Sequence, residues 1–458
     1  MRNRFVIPLL LTSFIFVLAI LIWAFIFPFE GKSPQISWEG VTPYLGKQKT
    51  ITIDISDPKR GIRKVRLVLS QNGKEFILQE ENLPSAGFFS GGAEKTKSMT
   101  IDIQPFKAGA VDGKPVLEVS VWDYFFRKWG KGNVSSLRQE LLIDTVPPVV
   151  SVLANTRYLN QGGAGIVVYK ISKEVEKHGV KVDEIFYKGY PVKDHPGAFQ
   201  ALFALPFSSS KVNIGVHAED MSGNIASGKF PFEIKPNAFR KDVITLTESY
   251  LEMISGKATG EFPEYLSAGS PLDIFIAINT KLRKANEDDF KKISANTSPD
   301  RLWKGVFTAI PNATARAIFA DQRSYQREGN EVTTSVHLGF DMAALEKYPV
   351  PAANDGIVAE IKHMGIYGLT LILDHGQGLF STYSHLSSTE VQKGDTVKKG
   401  QTVARTGTSG LAFGDHLHFG IMNQGVFINP TEWIDPNWIQ KKIELPLKEA
   451  FGGEQKGN

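Results

Sequence analysis

Between residues 337 and 418, three short segments contain His337, Asp341, His385, His416 and His418 with a spacing typical of a metal site. Side chains two residues apart on a strand share a face, so His416 and His418 are expected to point into one cleft. His337 and Asp341, four residues apart, share a face in an extended segment. The three segments that hold these residues are H-L-G-F-D (337–341), Y-S-H-L (383–386) and D-H-L-H-F-G (415–420).

The residue types in this segment point to zinc. The chain has no cysteine, which excludes thiolate zinc sites, so a metal must be held by histidine, aspartate or glutamate. Catalytic zinc takes three protein ligands and keeps a fourth position open for water. His337, Asp341 and one member of the H-x-H pair could supply the three ligands. The other member, together with His385, would be free to act on the water or on the oxyanion.

The N-terminal apolar run predicts a membrane anchor. Residues 5–28 carry no charge, and roughly 20 apolar residues suffice to cross the hydrocarbon core. Arg2 and Arg4 precede the run and predict that this end stays cytoplasmic. A cleaved signal peptide is the alternative, but its shorter apolar region would end in small residues rather than in the bulky aromatics of residues 23–29. We therefore predict a single-pass inner-membrane anchor at 1–30, with the bulk of the chain periplasmic or otherwise extracytoplasmic.

Two β-rich regions, at 33–146 and 147–236, follow the anchor. Two prolines near the boundary, Pro147 and Pro148, cannot continue a sheet interior. A strand, an acidic residue and a Gly-Asn turn recur in both regions. The pattern resembles the tandem immunoglobulin-like modules of bacterial surface proteins, which implies two β-sandwiches that act as spacers or binding arms. The segments whose alternation predicts strands are Lys49–Ser56, Ile62–Leu69, Ser98–Ile103, Leu117–Trp122, Gly165–Ile171 and Lys211–Ala218.

The hydrophobic period changes from residue 237, where a helical linker at 237–301 is predicted. Asp242–Ile254 and Pro271–Ser294 have the pattern of helices, and Pro271 suits a first helical turn. Two roles remain open for this linker. It could be a helix pair that packs between domains, or a lid or docking surface for the domain that follows.

The chain returns to short, glycine-rich strands at 302–438 and ends in a polar, frayed tail at 439–458. The predicted fold class is mainly β, with a transmembrane helix, two Ig-like modules, a helical linker and a C-terminal glycine-rich β-sheet domain. The formal net charge of +4 suits an anionic polymer or surface but is too small to indicate nucleic acid, so no nucleic-acid partner is predicted.

Residues from about 315 to 435 resemble the lysostaphin-type (LytM-like, M23) zinc endopeptidases of peptidoglycan. That family carries H-x-x-x-D, a lone histidine in Y-x-H-L, and H-x-H in G-x-H-L-H-F. The chain departs from the family after the aspartate, where 346–350 replaces a G-T-P-V turn, and at Gly420, where glutamate is common. Neither departure removes a metal ligand; both bear on the cleft rim and on substrate preference. Further matches are Gly365–Gly368, Asp374–Gly378, Val391–Gln401, Thr406–Gly410 and Asn429-Pro430.

The resemblance implies a role for each of the five residues. His337, Asp341 and His418 would bind one Zn²⁺ per chain, and His385 and His416 would be the catalytic histidines. Enzymes of this kind hydrolyse peptide cross-links in the cell envelope. The implied partners are therefore the peptide stems of peptidoglycan and the inner membrane, and a regulatory envelope protein remains open.

Two other functions remain as alternatives. A non-catalytic envelope scaffold or hydrolase activator of the same fold would lack turnover, but members of that kind usually lose zinc ligands and this chain keeps the full set. A periplasmic adaptor of an efflux pump would share the V-x-x-G-D-x-V-x-x-G-Q segment at Val391–Gln401. It would also need the sustained heptads of a coiled-coil hairpin, which the sequence lacks.

Overall fold

A computed structural model describes residues 6–26, 32–87, 90–125 and 131–452. The chain is mainly β, as predicted. It divides into two compact units. The first takes in Met1–Pro147 and Glu219–Ile225, and the second takes in Pro148–Ala218 and Ala226–Asn458.

The predicted membrane anchor contains a helix at Val6–Ile26, whose side chains are described from residue 11 to residue 22. Among the residues described in this way, we find no helix long and apolar enough to cross a membrane. The structure therefore does not support the predicted transmembrane helix. The flanking residues 1–5 and 27–31, with Arg2 and Arg4, lie outside the described residues.

The first unit is built from strands whose alternation sets its core. In Lys49–Ser56, the side chains of Ile51, Ile53 and Ile55 are buried and those between them are not. The strands predicted in this region are confirmed, and their Ig-like assignment stays a prediction. Its sheets run in the orders Gln35–Glu39, Lys49–Ser56, Thr96–Ile103; then Val134–Glu140, Val116–Asp123, Ile62–Gln71, Lys74–Asn82; with the pairs Tyr44–Leu45 and Leu142–Ile143, and Ser85–Gly87 and Gly91–Gly92, and a short helix Pro105–Ala108.

The second β region shares its hydrophobic core with the C-terminal domain. Tyr169 and Phe203 belong to the same buried cluster as Tyr383 and Trp433. The region therefore packs against the C-terminal domain as part of one unit. Its sheets run in the orders Val150–Asn155, Ala164–Ile171, Ala198–Ala204, Tyr190–Pro191; then Ile185–Lys188, Val175–Val182, Ile214–Asp220, Ile225–Gly228; with the pair Tyr158–Asn160 and Glu233–Lys235.

A buried carboxylate joins the second β region to the C-terminal domain. Glu432 Oε1 accepts a hydrogen bond from Asn160 Nδ2 at 2.7 Å, and its Oε2 accepts one from Ala164 N at 3.1 Å. Burial raises the pKa of Glu432 to about 7. The two donors lie about 270 residues away along the chain, so only the folded unit brings them to this side chain.

The predicted helix at Asp242–Ile254 is wrong in its first part. Lys241–Thr245 is a strand that pairs in parallel with Gln322–Gln326, a long-range pairing that local periodicity does not reveal. The helix begins only after Thr247, whose Oγ1 accepts a hydrogen bond from Tyr250 N at 3.2 Å. The helical elements of this segment are Glu248–Glu261, a 3₁₀ turn at Pro263–Ala268, Pro271–Ala277, a π-helical turn at Ile278–Leu282, and Arg283–Ser294.

The C-terminal domain is organised around an eight-stranded sheet. The prediction of short strands in 302–438 is confirmed, since Gly356–His363, Leu369–Asp374 and Leu379–Ser384 all belong to this sheet. Its order is Thr314–Ala317, Phe340–Ala343, Leu417–Asn423, Leu379–Ser384, Leu369–Asp374, Gly356–His363, Thr396–Val397, with Val426–Ile428 paired to Leu417–Asn423. Two smaller sheets accompany it, Lys241–Thr245, Gln322–Arg327, Asn330–Val336 and Pro349–Pro351, Thr402–Thr406, Leu386–Thr389, together with a 3₁₀ turn at Gly365–Tyr367.

The predicted polar tail is instead helical over its described part. Ile439 and Ile443 are buried, and the ring of Phe451 stacks on His195 with 3.6 Å between centroids. Apolar residues four apart form a buried stripe that the lysine-rich composition conceals. Residues 453–458 lie outside the described residues. The helical elements here are Pro430–Trp433, Pro436–Ile439, a π-helical turn at Gln440–Glu444, and Leu445–Phe451.

Candidate metal centre

Strand register places the first two candidate ligands opposite each other. Asp341 lies on Phe340–Ala343 and pairs directly with His418 on Leu417–Asn423. Directly paired residues on neighbouring strands point to the same face. His337 precedes this pair in a loop, which is fixed because His337 N donates to Asp321 O at 2.9 Å and Ala320 N donates to His337 O at 2.7 Å.

Three side-chain atoms converge at this point. His337 Nε2 lies 3.0 Å from Asp341 Oδ1, His418 Nδ1 lies 2.8 Å from the same oxygen, and the two nitrogens are 3.0 Å apart. Both histidines are buried. Ligands at about 2.0–2.1 Å from a tetrahedral zinc would be separated by roughly 3.3 Å. The triangle is therefore close to one face of a zinc tetrahedron.

The remaining ring nitrogens favour binding of a cation at the triangle. His337 Nδ1 donates a hydrogen bond to the carbonyl oxygen of Ile318 at 2.9 Å, so Nε2 is left with a lone pair. Within the described residues, the buried His418 Nε2 has no hydrogen-bond partner. Two imidazole nitrogens and a carboxylate oxygen form a donor set that zinc prefers. His337, Asp341 and His418 therefore fit a zinc ion.

The electrostatics of the triangle favour an ionised carboxylate. Burial favours the neutral acid of Asp341, but the contacts with the His337 and His418 rings outweigh it and hold the pKa of the carboxyl well below its usual range. Burial also lowers the pKa of His418 to about 4, against the opposing effect of Asp341. The site therefore presents a negative oxygen beside the neutral ring of His418 at neutral pH.

The two remaining histidines lie beside the triangle with their rings in contact. The ring centroids of His385 and His416 are 4.8 Å apart, and His416 Nε2 is 3.9 Å from Asp341 Oδ1. His385 Nδ1 lies 2.8 Å from Ser409 O, and His416 Nδ1 lies 2.7 Å from Gly414 O. Because a carbonyl oxygen can only accept, both rings carry their proton on Nδ1 and keep an Nε2 lone pair.

The backbone at His385 is unusual. Its φ is +61°, a conformation that is uncommon outside glycine and that clusters at functional sites. His385 N donates to Tyr367 O at 2.9 Å, which holds the turn. Burial, followed by the neighbouring His418 and His416, lowers the pKa of His385 to about 3, so its ring is neutral at pH 7.

All five predicted residues line one pocket of about 500 Å³. The sequence analysis did not single out several other residues of its wall. Tyr250 and Arg283 come from the helical segment, and Arg316 and Arg323 come from strands that precede His337. The helical linker thus contributes to the pocket wall. No local motif marks these residues, because each reaches the pocket through long-range packing.

Gly339, between His337 and Asp341, makes room for the His418 ring. A Cβ atom at this position would lie 2.5 Å from His418 Nε2 and 2.8 Å from Phe419 O. We expect Gly339→Ala to push the His418 ring out of position. Zinc binding should weaken by about 10- to 100-fold, as it does when a residue that orients a metal ligand is lost. Competition with a zinc-chelating dye measures the affinity. Gly414→Ala, where an added Cβ meets no atom within 4 Å, is the matched control.

Comparison with known proteins covers the part of the chain that holds the five predicted residues. Residues 335–430 match Peptidase family M23. A 95-residue stretch is 37% identical to an uncharacterized metalloprotease of Haemophilus influenzae and covers 20% of either chain. A 170-residue stretch is 26% identical to the peptidoglycan DD-endopeptidase ShyC of Vibrio cholerae, over 37% of this chain and 31% of ShyC.

A third relative differs in what its name describes. A 96-residue stretch is 35% identical to the murein hydrolase activator EnvC of Escherichia coli, over 21% of this chain and 23% of EnvC. The chain spans less than a third of the length of each of these three relatives. The family match at residues 335–430 contains the metal triangle, so the C-terminal part of the chain is similar to peptidase family M23.

Proposed function

We propose that this protein is a zinc-dependent endopeptidase that hydrolyses the peptide cross-links of peptidoglycan. The observation that carries the proposal is the convergence of His337, Asp341 and His418 within 3.0 Å of one another, beside two histidines with free Nε2 atoms. The match to family M23 and the name of the relative ShyC support peptidoglycan as the substrate.

The proposed mechanism assigns separate work to the metal and to the histidines. A zinc ion held by the three ligands would act as a Lewis acid on the scissile carbonyl and lower the pKa of a water molecule. His385 and His416 each present an Nε2 lone pair toward the pocket, so either can take the proton of the attacking water and return it to the leaving amine. Their Nδ1 bonds to Ser409 O and Gly414 O hold both rings in the required tautomer.

The second candidate function is a non-catalytic hydrolase activator or envelope scaffold. The 35% identity to EnvC, whose name describes an activator, favours it. The complete set of ligands and histidines favours the enzyme. Zinc content and turnover separate the two functions, since an activator needs neither.

We also propose that the chain is attached to the inner membrane through its N-terminal apolar run, with the bulk of the chain in the periplasm. The proposal rests on the uncharged residues 5–28 and the basic residues before them. Its partners would be the peptide stems of peptidoglycan and a regulatory envelope protein. Membrane fractionation with protease treatment of spheroplasts tests it, and recovery of the untreated chain in the soluble fraction would count against it.

The test of the enzymatic proposal uses the purified full-length chain and isolated sacculi. We expect about one zinc per chain by elemental analysis and release of uncross-linked muropeptides, which a chelator abolishes and added zinc restores. Zinc without release of muropeptides would contradict the enzyme and support the activator. Addition of the chain to a separately purified murein hydrolase would then measure activation directly.

A further inference from the structure

Three arginines line the same pocket as the metal triangle. They are Arg283, Arg316 and Arg323, and they come from the helix Arg283–Ser294 and from the strands Thr314–Ala317 and Gln322–Arg327. Three cations in one pocket repel each other, and the partial burial of Arg283 and Arg323 strengthens the repulsion. A compensating anion is therefore expected nearby.

The described part of the protein supplies fewer negative than positive charges at this pocket. None of the ion pairs found among the described residues involves these arginines, and two carboxylates line the pocket with them. Asp341 Oδ1 is engaged by two histidines. Asp415 Oδ2 accepts a hydrogen bond from Lys347 N at 3.0 Å, and Asp415 Oδ1 has no hydrogen-bond partner among the described residues. Three arginines against two carboxylates leave a net positive charge on the pocket wall for a ligand.

The arginines are positioned by the strands that position the metal ligands. Arg316 lies at a bulge between two residues that pair with Met342 and Asp341. Arg323 pairs with Ser335, two residues before His337. Any group that the arginines bind is consequently held at a fixed place relative to the metal triangle.

Arg283 is oriented by a neighbour on its own helical segment. Its Nε donates to Asn279 Oδ1 at 2.8 Å. Burial and Tyr325 raise the pKa of Tyr250 to about 12, and Arg323 and Arg283 oppose that rise. The charges of both arginines therefore act on the same side chain in the pocket wall.

We propose that Arg283, Arg316 and Arg323 form a subsite that binds a free carboxylate of the substrate beside the scissile bond. A guanidinium binds a carboxylate through two parallel hydrogen bonds, which gives both strength and orientation. The protein therefore selects cross-linked peptides that carry free carboxylates near the cleaved bond over neutral peptides. This inference rests on the proposed endopeptidase function, since it names the class of peptide that the same pocket takes.

The test compares two ligands that differ in carboxylate charge alone. One is a cross-linked muropeptide purified from sacculi, and the other is the same compound after its carboxylates are converted to primary amides. Binding is measured by calorimetry on the zinc-loaded full-length His416→Ala variant, so that turnover does not interfere. We expect the acid to bind about 10- to 100-fold more tightly than the amide, the effect of one or two charge-assisted contacts.

Substitution of the arginines tests whether they cause the preference for the acid over the amide. Arg316 is exposed, so Arg316→Gln should fold normally. We expect Arg316→Gln and Arg323→Gln each to lower the ratio of affinities for the acid and the amide muropeptide by about tenfold. Arg323→Lys, which keeps the charge and loses the planar fork, should retain only part of the preference. Arg240→Gln is the matched control, because Arg240 pairs with Asp242 outside the pocket at 2.8 Å.

The outcomes separate this proposal from the function on which it rests. Equal binding of acid and amide, or a preference that survives both glutamine variants, would overturn the carboxylate subsite. If the wild-type chain also hydrolyses acid and amide equally, the endopeptidase stands without the subsite. If the glutamine variants lose the preference for the acid and the wild-type chain hydrolyses neither compound, the subsite is retained and the endopeptidase is rejected.

Discussion

Replacement of Asp341 with asparagine is expected to lower zinc affinity by at least about a hundredfold and to abolish hydrolysis. Even supporting residues around a metal cost 10- to 100-fold when lost, and Asp341 contributes the one charged oxygen of the triangle. Asparagine keeps the size of the side chain, so the strand pairing with His418 should survive. Elemental analysis after dialysis, with muropeptide release from sacculi, measures both effects.

The control for this variant removes a carboxylate elsewhere in the same unit. Asp289 forms a half-exposed ion pair with Lys362 at 2.7 Å, and surface pairs contribute about 1 kcal/mol or less to stability. Asp289→Asn should therefore keep its zinc and its activity. If Asp341→Asn binds zinc as tightly as the wild type, the ion is held elsewhere and the triangle is not the metal site.

Alanine at His385 or at His416 is expected to reduce turnover by about 10²- to 10⁴-fold while zinc stays bound, because a positioned acid or base contributes on that scale. Neither ring belongs to the three-atom triangle, so the metal should not depend on them. If both act in one proton relay, the double variant should lose little more than the worse single variant. Single-turnover rates and zinc content, measured on the same preparations, test this.

His195→Ala provides the matched histidine control. His195 stacks on Phe451 and does not line the metal pocket, so this variant should keep both zinc and turnover. A fall in zinc content that parallels the fall in rate in His385→Ala or His416→Ala would show that these residues hold the metal site together and do not move protons.

The candidate residues of the metal triangle could be foreseen because each lies in a short motif, H-x-x-x-D or H-x-H, and the family resemblance then implied His418 as the third ligand. The H-x-H spacing puts two rings on one strand face, and a strand face is set by the period of two. The pocket wall could not be foreseen in this way. Arg283 and Tyr250 precede His337 by more than 50 residues, and they reach the pocket through the packing of the helical segment. Gly339 was visible in the motif, but its role depends on where the His418 ring lies.

Contacts between residues far apart in sequence also explain the errors in the fold prediction. Lys241–Thr245 forms a strand because it pairs with Gln322–Gln326, about 80 residues away. The hydrophobic pattern of residues 242–254 contains no sign of that partner, so it predicted a helix that begins too early. The tail was assigned from composition. Its buried isoleucines, Ile439 and Ile443, occupy single positions in each turn and are outnumbered by polar neighbours.

The buried Glu432 bears on how the gene for such a protein can recombine. The M23 match ends at residue 430, two positions before the carboxylate that holds Asn160 and Ala164. A crossover that transplanted only the matched segment would separate this glutamate from the matched strands or from its donors, and would leave buried amide groups without acceptors. The second β region and the C-terminal domain should therefore be inherited together, as one evolutionary block.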